Sequence, residues 1–188
     1  MQIVARRTED LDRLVSEIIS HQQLKMSGLQ LQNTDLISII TLAVNSARPV
    51  AEQNKLNLAI DIPQHLPMIE ADPNRISQIF DNLIGNAIKF TRAGGTITVS
   101  AHVQQHTVEI DVSDTGIGIE PEALEKIFNR FFQVDGSTTR RFKGTGIGLA
   151  IVKQIVEAHQ GSISVKSEID VGTTFSFILP ITQPTTEN

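Results

Sequence analysis

Residues 72–89 constrain this chain more than any other stretch. Asp72 and Pro73 form an N-cap and first-position pair, and apolar residues then recur at Ile76, Ile79, Phe80, Leu83, Ile84, Ala87 and Ile88. That spacing makes one full apolar helix face, which must be buried against a second layer. The opposite side carries Arg75, Gln78, Asn82, Asn86 and Lys89 at steps of three and four. A solvated face usually mixes Glu and Lys. Asparagine is a mediocre helix former, so two of them one turn apart ask for a reason other than helix stability.

The second layer is supplied by alternating segments. Leu56, Leu58, Ile60 and Ile62 alternate up to Pro63, and a short segment covers residues 68–71. Ala93, Gly94 and Gly95 turn the chain into a hairpin of residues 96–103 and 107–113. Two further strands, 162–167 and 173–179, hinge at Val171 and Gly172. Between them fall a helix over residues 35–54, capped by Thr34 and kinked or shortened by Pro49, and a short one from Pro121 to about Ile127. A last helix is marked by Leu149, Ile151, Val152, Ile155 and Val156 and closes near Gly161. The chain reads as α+β, with one core in 188 residues of which 40% are hydrophobic.

Ahead of this core, Val4, Leu11, Leu14, Val15, Ile18 and Ile19 form an amphipathic stripe that needs a partner, as in half of a helical hairpin or dimer stem. Gly28 and the polar residues 30–34 break the chain before the next element. The expected division is a stem helix over 1–28, a domain over 29–181 and a disordered polar tail over 182–188.

A formal net charge of -5 argues against a broad nucleic-acid face, and the absence of cysteine removes disulfides, thiolate metal sites and thiol catalysis. No apolar run is long enough to span a bilayer and the N-terminus is not signal-like, so the piece reads as cytoplasmic, without membrane contact.

Two glycine-bearing stretches carry the chemistry. Residues 114–119, DTGIGI, end a strand with a carboxylate and then offer Gly116 and Gly118, whose bare backbone lets a flat ligand approach. Gly144, Thr145, Gly146, Ile147, Gly148 and Leu149 open the last helix, presenting unpaired N–H groups and the positive end of its dipole to phosphate. The spacing is neither a Walker loop nor a dinucleotide fingerprint. Magnesium takes few protein oxygens when phosphates supply the charge, so a neutral oxygen from Asn86 or Asn82 suffices, with Lys89 reaching a phosphate as a point charge. Asp114 offers an acceptor to an amino group on a planar base, and Ile88, Ile117, Ile147 and Phe177 line the slot. Residues 133–143, aperiodic and containing Arg140, Arg141 and Lys143, form a lid. Together these parts describe a Mg-ATP site.

The strings NLIGNAIKF, DTGIGI, IFNRFF, GTGIGLAI and GTTFSF, in this order, resemble the asparagine box, first glycine box, phenylalanine box, second glycine box and closing glycine motif of the sensor histidine kinase catalytic domain. That domain belongs to the ATPase superfamily of gyrase, Hsp90 and MutL, and the resemblance covers about residues 35–180. It implies a two-layer α/β sandwich of the Bergerat type, a mixed sheet backed by three helices, with ATP under a mobile lid. Carried onto this chain, it implies that Asn86 ligates magnesium with Asn82 beside it and that Lys89 contacts phosphate. It implies further that Asp114, with Gly116 and Gly118, binds the adenine amino group. Gly144, Gly146 and Gly148 flank the phosphates, and Thr174 lies near the base. Arg130, Arg140 and Arg141 stand as candidate lid cations for charge on the transferring phosphoryl group. Gln133 departs from the pattern, because many relatives carry a basic residue there.

Arg13, Leu14 and residues 18–28 resemble the second helix of the dimerisation and phosphotransfer hairpin. The first helix, with its acceptor histidine, is not found: His21, His65, His102, His106 and His159 do not fit that motif and read as surface residues. The implied protein is a homodimer at full length, phosphorylates a hairpin in cis or in trans and feeds a response regulator receiver domain. Three alternatives share the pocket: an ATP-driven clamp or slow ATPase, a serine kinase of the anti-sigma type, and a non-catalytic ATP-binding regulatory module. The hydrolase needs a carboxylate four residues before Asn82, where Gln78 stands; the stem argues against the serine kinase.

Overall fold

A computed structural model describes residues 28–133 and 145–182 of the chain. The expected stem helix, Gly144, Arg140 and Arg141 and all but the first residue of the expected tail lie outside the described residues.

The elements run β1 (Gln32–Thr34), α1 (Leu36–Gln53), β2 (Asn57–Asp61), β3 (Ile69–Ala71), α2 (Pro73–Phe90), β4 (Thr96–Gln104), β5 (Thr107–Asp114), α3 (Pro121–Leu124), α4 (Gly148–Ala158), β6 (Ser162–Glu168) and β7 (Gly172–Pro180). Five strands form a mixed sheet in the order β2-β4-β5-β7-β6, parallel only at β2 and β4, while β1 and β3 pair antiparallel as a separate ribbon. The parallel pair arises because β2 reaches β4 through α2, whereas the remaining neighbours are antiparallel. This is the mixed sheet with three longer helices that the sequence implies.

Alternation decides the faces. Val108, Ile110 and Val112 of β5 and Phe175, Phe177 and Leu179 of β7 are buried in the core with Ile76, Ile79, Phe80, Leu83 and Ile84 of α2. Phe80 meets Phe177 edge to face at 5.8 Å between ring centroids, an arrangement that adds to the area both rings bury. Helix α2 thus sits at the centre of the helical layer, against α1, α4, β4 and β5.

Local details depart from the sequence reading in four places. Asp35, not Thr34, caps α1, its carboxylate accepting the Ile37 N–H at 3.0 Å. Thr34 belongs to β1 and donates its hydroxyl to the Ala71 carbonyl, so part of the supposed polar break is a strand. Helix α1 itself, Leu36–Gln53, agrees with the expected 35–54 and continues four residues past Pro49. The helix at Pro121 ends at Leu124, with single turns following through Ile127.

The fourth departure is His159, which is fully buried rather than on the surface. Its Nε2 accepts the Asp72 N–H at 3.0 Å, and its Nδ1 lies 2.8 Å from the Ile155 carbonyl. A carbonyl only accepts, so Nδ1 carries the proton and the ring is neutral. Burial holds this imidazole below its ordinary value of 6.5, against opposing contributions from the Ile155 carbonyl and the Asp72 charge. The unfolded chain therefore takes up a proton near pH 6.5 that the folded chain refuses. Stability is present in full above that pH and is lost as pH falls through the lower folded value. We expect the urea midpoint to drop between about pH 7.5 and about pH 5.5, and to drop less in His159→Gln; equal slopes for the two proteins would contradict the assignment.

Candidate nucleotide site

Asp114 ends β5, where Thr115 N–H bonds the Thr96 carbonyl at 3.0 Å and the next residues leave the sheet. Its Oδ1 accepts the Gly116 N–H at 2.8 Å. Burial pushes the carboxyl above its ordinary value, partly offset by the backbone N–H groups of Gly116 and Thr173. A half-buried carboxylate that bears this cost is a strong acceptor for a ligand donor.

The glycines around it are required by backbone, not by turn preference alone. A Cβ on Gly116 would lie 2.5 Å from Asp114 Oδ1 and 2.6 Å from the Phe90 carbonyl oxygen. Gly118 has φ +73° and packs so tightly on the Glu168 carbonyl that no side chain fits. Gly172 crowds the Asp114 carbonyl in the same way. The loop is further tied by Ile117 N–H to the Phe90 carbonyl, Asp170 N–H to the Ile117 carbonyl and Ile119 N–H to Ser167 Oγ. The pocket floor is fastened to the end of α2 on one side and to the β6–β7 turn on the other.

Helix α2 brings Asn82, Asn86 and Lys89 along one half-buried edge. Asn82 donates its amide to the Gln78 carbonyl at 2.8 Å, and its Oδ1 sits where a Cβ on Gly148 would come within 2.5 Å. The asparagine edge and the start of α4 are therefore in contact. The Asn86 carboxamide has no hydrogen-bond partner among the described residues. Lys89 lies in the last turn of α2, its Nζ 4.8 Å from the centre of the Phe90 ring.

At the second glycine stretch, Gly146 (φ +70°) backs onto Phe131, whose N–H donates to the Gly146 carbonyl at 2.8 Å. Ile147 is buried and precedes α4. Its N–H and the Thr145 hydroxyl oxygen are 3.3 Å apart. Phe128 stacks edge to face on Phe175 at 6.3 Å, anchoring the phenylalanine box to β7. Arg130 borders a groove of about 500 Å³ along the outer face of α4, with Lys153, Gln154 and Glu157.

Two expected residues are misplaced by the sequence reading. Phe177 is wholly inside the core and lines no slot. Thr174 pairs across the sheet with Ser113, their hydroxyls 2.9 Å apart, on the face away from the helices. Thr173 is the residue opposite Asp114, buried, with its hydroxyl 2.9 Å from Ser167 Oγ. Strict alternation with the buried Phe175 and Phe177 was the signal that picks Thr173 over Thr174.

Residues 71–183 match the family profile of histidine kinase-, DNA gyrase B- and HSP90-like ATPases. The chain belongs to that family. It is 33% identical over 184 residues to the sensor histidine kinase WalK of Bacillus subtilis, covering 96% of this chain and 30% of that protein. Among solved structures, full-length ShkA in complex with AMPPNP is similar with a TM-score of 0.83 at 31% identity, covering 98% of this chain and 39% of that one. The histidine kinase ThkA in complex with the response regulator TrrA is similar with a TM-score of 0.76 at 25% identity, over 94% of this chain and 49% of that one. The chain corresponds to the ATP-binding catalytic part of such sensor kinases and spans less than a third of the length of the WalK relative. No described helix is long and apolar enough to cross a membrane.

The raised Asp114 carboxyl yields a paired expectation. A group whose folded pKa lies above its unfolded value destabilises the fold once it ionises, so at neutral pH Asp114→Asn should melt no lower than the unaltered chain. Losing a charged acceptor for a ligand N–H costs about 1.5–3 kcal/mol, roughly a tenfold to hundredfold rise in nucleotide Kd. Calorimetric titration with ATP beside a thermal melt checks both; unchanged affinity would remove Asp114 from the site.

Proposed function

We propose that this chain binds Mg-ATP between the α2 edge and the loop after β5, and delivers the γ-phosphoryl group to a histidine on a dimerisation hairpin in cis or in trans. The observation that carries the reading is the half-buried Asp114 carboxylate set in a loop whose glycines leave no room for side chains. An adenine is flat, and its exocyclic amino group donates to such an acceptor. Thr173, beside Asp114 in the ladder, holds that end of the slot.

The donor set fits magnesium. The described residues contain no cluster of three His, Cys, Asp or Glu that could cage a metal, but magnesium bound through phosphates needs only one or two protein oxygens, which Asn86 and Asn82 provide. When bound, the ion would offset the charge on the phosphate oxygens. Lys89 holds a phosphate oxygen as a point charge, and the N–H groups at the start of α4, including that of Gly148, face the phosphate chain. In the transfer, a histidine nitrogen forms a bond to the γ-phosphorus as the bond to the β–γ bridging oxygen breaks, and ADP leaves. Arg130, Arg140 and Arg141 are the candidate cations for charge on the moving group.

Gln78 stands where a hydrolase of this superfamily needs a carboxylate, and its Oε1 accepts from Arg75 Nη1 at 3.1 Å. It has no proton-accepting carboxylate with which to activate water, which disfavours the ATPase reading. The product passes to a receiver domain of a response regulator, as the ThkA–TrrA complex suggests for a relative. The full-length protein acts as a homodimer, with this part in the cytoplasm.

Incubation with γ-labelled Mg-ATP tests the proposal, using the chain alone, then with a separate hairpin bearing an acceptor histidine, and Asp114→Asn as control. We expect ATP binding without self-labelling, acid-labile label on the hairpin, and both weakened about tenfold to hundredfold in the control at subsaturating ATP. Free phosphate with no labelled protein would replace the kinase reading by a hydrolase, and binding without either product would leave a regulatory module.

A further inference from the structure

Helices α2 and α4 run in opposite senses and meet at both ends. At the site end, the start of α4 backs onto the Asn82 carboxamide through Gly148. About 15 Å away along α2, given the helical rise, the end of α4 returns to the start of α2. There the buried His159 ring accepts the Asp72 N–H, and its own Nδ1–H closes on Ile155 of α4.

Asp72 is more than a helix cap. Its Oδ1 accepts the N–H groups of Asn74 and Arg75 at 3.1 and 3.2 Å, while Oδ2 accepts the Gln30 N–H at 3.1 Å. One residue, only 5% exposed, therefore ties three pieces together: the segment entering the domain at Gly28–Gln30, the helix carrying Asn82, Asn86 and Lys89, and the helix whose start bears Gly146–Gly148. The turn that ends α4 is made by Gln160, left-handed at φ +57°, with the Gly161 N–H closing on the Val156 carbonyl at 2.9 Å, so ending the helix does not call for an imidazole. A buried imidazole at this place is explained by the bridge to Asp72, which no glycine can make.

We propose that His159 is a positioning residue for the nucleotide site, acting through Asp72 so that a displacement of residues 28–30 changes the contact between Asn82 and the start of α4. Such a joint gives the lead-in segment a route to the site without touching the ligand. The inference rests on the ATP-binding reading for one of its two readouts only.

The test uses the whole 188-residue chain and four variants: His159→Leu, which removes the acceptor; His159→Gln, which keeps one; Gln30→Pro, which removes the N–H; and a double variant that carries both His159→Leu and Gln30→Pro. Mg-ATP affinity is measured by calorimetry and amide exchange is followed at residues 145–150 without nucleotide. We expect His159→Leu and Gln30→Pro each to raise Kd about five- to tenfold, in the range of ordinary coupling, and to speed exchange at 145–150. The double variant should bind no more weakly than the weaker-binding single, because both act through Asp72. His159→Gln should stay within about twofold of the unaltered chain.

Affinity within about twofold in His159→Leu, or effects that multiply in the double variant, would overturn the joint. If His159→Leu does not fold, Gln30→Pro alone decides by the same readouts. If the unaltered chain binds no nucleotide, the ATP reading falls, and unchanged exchange at 145–150 in the variants would separately dispose of the joint.

Discussion

The burial of one face of α2 is the constraint on which the rest depends. Ile76, Ile79, Phe80, Leu83, Ile84 and Ala87 lie under 4% exposed, and each large apolar side chain among them contributes about 1.5–3 kcal/mol by leaving water. That face fixes the rotation of the helix about its axis. Once it is fixed, Asn82, Asn86 and Lys89 lie along one edge, which meets the start of α4 at Gly148. The polar edge costs stability, since two asparagines sit mid-helix and one amide is occupied by the Gln78 carbonyl. The core offsets that cost, and chemistry is attached to the helix as a by-product of packing.

The same logic explains what was legible beforehand. Long periodic segments were: α2, the β4–β5 hairpin, α4 and the β6–β7 pair all follow from their apolar spacing, and Asp114 follows from its place at the end of β5. The glycines could be named, but the reason for each could not. Gly116 and Gly118 face carbonyls of Phe90 and Glu168, residues far away in sequence, and only the folded chain brings those oxygens there.

What failed did so where short-range signals compete. Thr34 and Asp35 are both good caps, and the choice was settled by tertiary pairing: the Thr34 hydroxyl is engaged by Ala71 of β3. Three-residue strands such as β1 and β3 carry too little period to detect. Thr174, named from the closing motif, stands one position from Thr173, the residue opposite Asp114, and in a strand one position exchanges the two faces of the sheet. His159 looked like a residue at a helix end, where histidines are usually solvated. Its burial depends on Asp72, 87 positions earlier, a distance at which no local pattern speaks.

The charge balance imposes a last condition on how a nucleotide can be held here. A chain with net charge -5 does not attract a polyphosphate from afar, and at physiological salt any such field fades over about 8 Å. Attraction must therefore be built within contact distance. On the proposed reading the fold does so with few formal charges: Lys89 at the end of α2, the N–H groups at the start of α4 and neutral asparagine oxygens that would suit a metal already bound to phosphate. Asp114 would complete the scheme at the opposite end of the slot. A carboxylate is tolerable there because a base amino group lies a ribose away from the phosphates, so a negative side chain that reads the base would not also repel the chain of phosphates.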